Sequence, residues 1–364
     1  MDCFFDINKC FIQLKNKYLL NISFLFKIII CFIFIDIYIF EYIKASKKVG
    51  VISLHYHKNI GNNLVKYAIY IALSELGYRP YIVGIYDTKT NITFLENNVQ
   101  MRIIKNFSDI KEQDYDILLV NSDQTWRKWD NNFYNNAFLK FAENWTIKKF
   151  IYGASTGSNV WKFQKRDELV AKHLLKNFTG ISVRDIGLVK LIKKHLGLKA
   201  SFVLDPTLLI DKEYYLKIIK NYKNDFKKWN YIFIYKVCDH LQLDKLQIIA
   251  TIKLNYKIFH VDMNENESIK KFIFGIYHSK AVITNSFHGT IFSIIFNKPF
   301  ISFKTKDDGR LDTLKQIFKF KDRILNYGEK PNYLLLKKPL NFNRDLLYFL
   351  KMKSLLYLKK QLRI

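Results

Sequence analysis

From Lys47 onward the chain alternates short β-branched or apolar runs with stretches whose apolar residues recur at helical spacing. "KKVGVISL" predicts a buried strand, and the polar loop "HYHKNIGNN" follows it. Leu64, Ala68, Ile71 and Ala72 then share one helix face that Gly77 ends, and "YIVGIY" (Tyr81 to Tyr86) predicts a second strand. This is a strand–helix–strand unit. Further strands are expected in "YDILLV" before Asn121, "KFIYGAS" before Thr156, "GISVRD" before a helix from Ile186 to Leu196, and "ASFVLDP" up to Pro206. After about residue 212 the alternation resumes. "WNYIFIYKV", a helical stretch, "YKIFHVD", a helix from Glu267 to His278, "AVIT" (Ala281 to Thr284), an apolar helix that must stop before Pro299, and "PFISF" follow in turn. No repeat period of roughly twenty to fifty residues emerges, which disfavours a solenoid. The expected class is therefore α/β, with halves at 47–210 and 211–335 split near Asp205 to Asp211. Residues 336–364 close with "NRDLLYFLKMKSLLYLKKQLRI", a basic amphipathic helix expected to pack back on the body, with a lipid-facing role left open.

Ahead of Lys47 the pattern is different. Residues 18 to 43 are long and apolar enough to suggest a bilayer span, but Lys27, Asp36 and Glu41 interrupt them. About sixteen apolar residues at roughly −0.3 to −0.6 kcal/mol nearly offset two intramembrane charges at about +2.5 to +3.5 kcal/mol each. Lysines flank the segment on both sides, so charge gives no orientation, and no small-residue cleavage site follows an uninterrupted apolar core. The 1–46 extension is thus a candidate membrane anchor, a helix lying in an interface or on the body, or the product of an over-extended start.

Composition changes this picture in two ways. Lys plus Arg number 59 against 32 Asp plus Glu, a formal net charge of +27, which favours anionic neighbours. No compact run of five or more basic residues appears, and Lys, Ile, Phe, Tyr and Asn, all with A/T-rich codons, are abundant together. A diffuse positive surface is therefore expected in place of a dedicated nucleic-acid site. Of four cysteines, Cys3, Cys10 and Cys31 lie in the extension and Cys238 stands alone, with no C-x-x-C spacing. A reduced, cytoplasmic body follows, and a cysteine metal site is disfavoured.

Candidate chemistry gathers at the strand-to-helix turns, where an open α/β sheet binds ligands. His288 sits in such a turn, between "AVIT" and an apolar helix, with Ser286, Gly289 and Thr290 beside it. Amides at that helix start could hold an anion, and the alternative is a satisfied structural histidine. In the first loop, Asn59, Gly61 and Asn62 open a helix after His55, His57 and Lys58, without either glycine-rich phosphate-loop spacing. Ser122, Asp123 and Gln124 follow an apolar strand, either toward a ligand or as helix caps. Arg184 ends another strand, where a guanidinium can fork onto a carboxylate or phosphate or pair with Asp185 or Asp205. Lys304, Lys306 and Arg310 complete the set of cations, Arg310 either closing over the site or capping its own helix. No metal site is expected.

Taken in order, "NIGNNL", "NSDQTW", "YGAST", "SVRD", "VLDPTLL" and "SFHGTIFSIIFNKPF" resemble the polysaccharide pyruvyl transferase family over roughly residues 47 to 330. The Ser-x-His-Gly element is the most specific of these. Asn121, Val65 and Asp185 depart from the residues usual there, Gly, Gln and Glu, and residues 1–46 have no counterpart. The resemblance implies two Rossmann-like domains facing a cleft, as in GT-B glycosyltransferases. It also implies transfer of pyruvate from phosphoenolpyruvate, a donor substrate and not a cofactor, to a sugar of a cell-surface glycan or its lipid-linked precursor. His288 would supply a proton or grip phosphate, and Arg184, Lys304 and Lys306 would meet the donor's charges. The rivals are a sugar-nucleotide glycosyltransferase on the same fold and a basic nucleic-acid-binding or scaffold protein.

Overall fold

The computed structural model describes residues 47–53, 59–85, 93–127, 133–261, 268–305 and 307–363. The hydrophobic extension, His55, His57, Lys58 and Lys306 lie outside them.

Seven strands, β1 (Lys48–Ile52), β2 (Arg79–Ile85), β3 (Met101–Ile104), β4 (Ile117–Val120), β5 (Lys148–Ala154), β6 (Gly180–Val183) and β7 (Ser201–Phe202), form one parallel sheet. Their order is β3-β2-β1-β4-β5-β6-β7. A second parallel sheet contains β8 (Tyr231–Tyr235), β9 (Lys257–His260), β10 (Ala281–Thr284), β11 (Phe300–Phe303) and β12 (Ile324–Leu325), in the order β12-β11-β10-β8-β9. The edge strands β3 and β12 are absent from the sequence expectation. β3 is partly exposed, with Ile103 49% accessible, and β12 has two residues, so neither carries a buried-strand pattern.

The longer helices are α1 (Ile60–Glu75), α2 (Lys165–Leu175), α3 (Ile186–Leu196), α4 (Leu241–Leu254), α5 (Ser268–His278), α6 (Phe287–Ile295), α7 (Gly309–Ile317) and α8 (Arg344–Leu362). Because parallel sheets are covered on both faces, their central strands are near-continuous apolar runs instead of alternating. In β4, Ile117 and Leu119 face one core while Leu118 and Val120 face another. In β8 the aromatic Tyr231, Phe233 and Tyr235 join the same core as Ile117, and Ile232 and Ile234 face away from it. One continuous core, containing side chains of α1, α5 and α6, therefore lies between the two sheets.

Each strand order reverses once, between β1 and β4 and between β8 and β10. Crossovers leave in opposite directions at such a point and open a crevice at the carboxyl ends of the strands. The two carboxyl edges meet: Asn159 N–H donates to the Asp307 carbonyl at 3.0 Å, and Ile186 N–H to Thr313 Oγ1 at 3.0 Å. After the second sheet the chain returns to the first, where Tyr357 of α8 donates to the Ile151 carbonyl and Leu204 N–H to Ser354 Oγ.

Candidate active site

The turn carrying His288 is held from beneath. Thr284 Oγ1 donates to the Tyr235 carbonyl at 2.6 Å and accepts from Ser286 N–H at 3.0 Å. Ser286 then caps α6, its Oγ accepting from Gly289 N–H at 3.3 Å. Asn285 ties the same turn to the end of β8, accepting from Val237 N–H and donating to the Cys238 carbonyl. Gly289 has to be glycine, since a Cβ there would fall 2.4 Å from Thr284 Oγ1. These bonds direct the His288 ring out of the second lobe and onto the first. There it lies against the backbone that opens α1, where a Cβ on Gly61 would sit 2.1 Å from His288 Nδ1. His288 Nε2 is 3.9 Å from Asp205 Oδ2 and has no hydrogen-bond partner among the described residues.

The first lobe contributes from four strand ends. Asn59 caps α1 by accepting from Asn62 N–H at 2.9 Å. Asn62 Oδ1 accepts from Ser122 Oγ at 2.8 Å and from Asp123 N–H at 3.4 Å, closing the crevice between β1 and β4. Arg184, at the end of β6, is 3% exposed; its guanidinium donates through Nη2 to Asp123 Oδ1 and through Nη1 to Asp205 Oδ2. Asp205 in turn accepts from Thr207 N–H and Thr207 Oγ1. From the second lobe, Arg310 reaches Asp123 Oδ1 at 3.3 Å while Asp308 takes its other donors. Both guanidiniums stand over Phe287, 5.0 and 5.1 Å from the ring centroid.

This alternation of charges sets the protonation states. Burial would raise the Asp123 carboxyl, but Arg184 and Arg310 outweigh it and hold the group well below the usual range. His288 goes down: burial dominates, Asp123 and Asp205 oppose it, and the two arginines reinforce it, so the ring is neutral at pH 7. Asp185 goes up to about 6 through burial, against Arg184 and the hydrogen bond from Ser155 Oγ. Lys66 lies one turn beyond Asn62 on the same face of α1; fully buried, its amine is lowered to about 7.

Several expectations change in detail. Gly289 N–H is used by Ser286 Oγ and Thr290 N–H by the Ser286 carbonyl, so these two amides serve the turn and not an anion. Thr290 is fully buried, its hydroxyl between the Ser286 carbonyl and Ser302 Oγ. Lys304 faces Asp312. Gln124 adopts a left-handed backbone, with φ of 49°, and accepts from Arg127. Arg310 both caps with Asp308 and closes onto Asp123. Arg184 pairs with Asp205, as the alternative had it, and also with Asp123; Asp185 instead takes the Ser155 hydroxyl. Sequence reasoning missed Phe287, Asp308 and Lys66. Asp308, two residues before Arg310 at a helix start, was the most readable of these. Among the described residues no group of three or more His, Cys, Asp or Glu is placed to hold a metal ion.

Two parallel α/β lobes meet at their carboxyl edges and bring His288 among paired carboxylates and guanidiniums. The chain belongs to the polysaccharide pyruvyl transferase family, whose model matches residues 59–307. It is a transferase of that family. Its structure is similar to the UDP-GlcNAc 2-epimerase from Methanocaldococcus jannaschii, with 10% identity over 84% of this chain and 99% of that one and a TM-score of 0.49. It is also similar to the glycotransferase of kitacinnamycin, with 10% identity over 87% and 99% and a TM-score of 0.48. MurG of Acinetobacter baumannii shows 11% identity over 85% and 95%, with a TM-score of 0.39. No curated protein matches the chain in sequence.

Proposed function

We propose that this transferase moves pyruvate from phosphoenolpyruvate to a sugar of a cell-surface glycan or its lipid-linked precursor, working at the cytoplasmic side of the membrane. The observation that carries this reading, beside family membership, is His288 Nε2 left unpartnered 3.9 Å from Asp205 and next to Arg184 and Arg310. In the reaction a sugar hydroxyl adds to the donor's C2, a proton reaches the methylene C3, and phosphate leaves C2. A second hydroxyl closing on C2 gives a ketal; its proton leaves with the phosphate.

Neutral His288 is suited to take a proton from the attacking hydroxyl or to hydrogen-bond the phosphate. For it to act first as an acid, the donor's negative charges must raise its pKa against burial. Arg184 and Arg310 are the cations for the donor's carboxylate and phosphate, and Asp123, which holds both in the free protein, is the group the donor displaces.

The test is incubation of the protein with phosphoenolpyruvate and a panel of lipid-linked sugars, following phosphate release coupled to a mass gain on the sugar. His288→Ala and His288→Gln should each lose turnover by about 100-fold or more while keeping the thermal midpoint. Absence of turnover and of phosphoenolpyruvate binding, with protection by a nucleotide sugar, would overturn the reading in favour of a glycosyltransferase.

A further inference from the structure

The inner face of α8 is fixed to the first lobe through Ser354, Tyr357 and Gln361, and Leu358 and Leu362 are fully buried. Its outer face should then be the polar side of an ordinary surface helix. Instead, Tyr348, Phe349, Met352 and Leu356 are 65, 61, 38 and 60% exposed. The spacings i, i+4, i+8 and i+1 place all four on one stripe. Arg344, Lys353, Lys359, Lys360 and Arg363 are exposed around it, against the single acid Asp345. A surface that leaves this much aromatic and aliphatic area in water, rimmed by cations, has the composition of a helix lying in a bilayer interface.

The chain itself adds a second observation. Arg79 N–H donates to the carbonyl of Lys47, and the adjoining Tyr78 hydroxyl donates to the carbonyl of Leu362. The point at which the apolar sequence of residues 18–43 is joined to the body is therefore beside the carboxyl end of α8.

We propose that the outer face of α8 docks on an anionic lipid bilayer surface, lying on it without crossing. The apolar stripe enters the headgroup boundary, and the five cations meet lipid phosphates at its edges. A second copy of the chain is the poorer occupant, because stacking two such faces sets five cations against five in a protein of net charge +27. Nucleic acid is poorer too, since Met352 and Leu356 at the centre of the stripe offer phosphates nothing. Among the described residues no helix is long and apolar enough to cross a membrane, in keeping with surface docking.

Flotation of the full chain with phosphatidylcholine vesicles, with and without phosphatidylglycerol, tests this independently of any turnover. Phe349→Ser/Leu356→Ser and Lys359→Glu/Lys360→Glu should each lower partitioning onto the anionic vesicles by about tenfold or more, with unchanged thermal midpoints. A Phe349→Trp variant supplies a reading local to the helix, separate from residues 1–46. Its added emission should shift to the blue on anionic vesicles and not on neutral ones. No shift, or partitioning unaffected in both double variants, overturns the proposal. A shift that follows protein concentration without lipid also overturns it, in favour of a second copy.

Discussion

Asp185 shows how much one buried carboxyl can weigh. It follows Arg184 in sequence yet is not its partner; it accepts from Ser155 Oγ, and its other oxygen has no hydrogen-bond partner among the described residues. Its pKa is raised from the ordinary 3.8 to about 6, so the native state holds this proton more tightly than the unfolded chain does. Stability contributed by the protonated form is complete at low pH, falls as pH rises between about 4 and 6, and is gone above that window. Replacing Asp185 with Asn should therefore stabilise the protein at pH 8 by up to about 3 kcal/mol, with the two proteins converging near pH 4. Urea unfolding at both pH values measures this; equal stabilities at pH 8 would show that Asp185 is not strained by its burial. Sequence pairs Asp185 with Arg184 by adjacency, but successive strand-end residues point to different sides, and only the fold shows which carboxylates reach the guanidinium.

At the scale of elements, the site depends on two helix starts pressed together. Asn59 and Ser286 cap α1 and α6; the sequence placed both at a helix start but named neither as the cap. That α1 abuts α6 across the two lobes was not legible, because nothing local in "NIGNN" names a partner more than two hundred residues away. Gly61 makes the contact possible. Gly61→Ala would place a methyl 2.1 Å from His288 Nδ1, so the ring has to leave its position against α1. The variant is expected to lose at least about 100-fold in turnover with the thermal midpoint lowered by a few degrees, as overpacking costs roughly 1–3 kcal/mol. Gly187, where an added Cβ meets nothing within 4 Å, is the matched control. Full activity in Gly61→Ala would mean that His288 has no fixed position to lose.

On the scale of the whole molecule, the two sheets are not independent bodies. Their facing sides share one core, and α8 returns from the second sheet to seal it with Leu358 and Leu362. Thermal unfolding should accordingly be a single transition by near-ultraviolet and far-ultraviolet signals alike. Leu358→Ala should lower the midpoint of that one transition, at a cost of about 2–5 kcal/mol, without splitting it. Two separate transitions would show that the lobes fold apart and that the shared core is weaker than its burial indicates.

What the sequence determined by itself is the part governed by short range. Apolar runs such as "YDILLV" and "AVIT" read as buried strands, apolar residues at helical spacing mark the helices, and the ordered motifs from "NIGNNL" to "SFHGTIFSIIFNKPF" lie within the span that the family model matches. A candidate histidine, arginine and aspartate at strand ends could be named because backbone geometry puts strand ends at a sheet's crevice. What only the tertiary structure decided is the pairing of charges: that Asp123 holds both arginines, that Asp205 serves Arg184 and faces His288, and that Phe287 lies beneath two guanidiniums. Ion pairs form between groups brought within a few ångströms of each other. In this chain the distances around Arg184 are set by the order of β4, β6 and β7 in the first sheet, and those of His288 and Arg310 by the second lobe packing onto the first, which no local pattern of residues encodes.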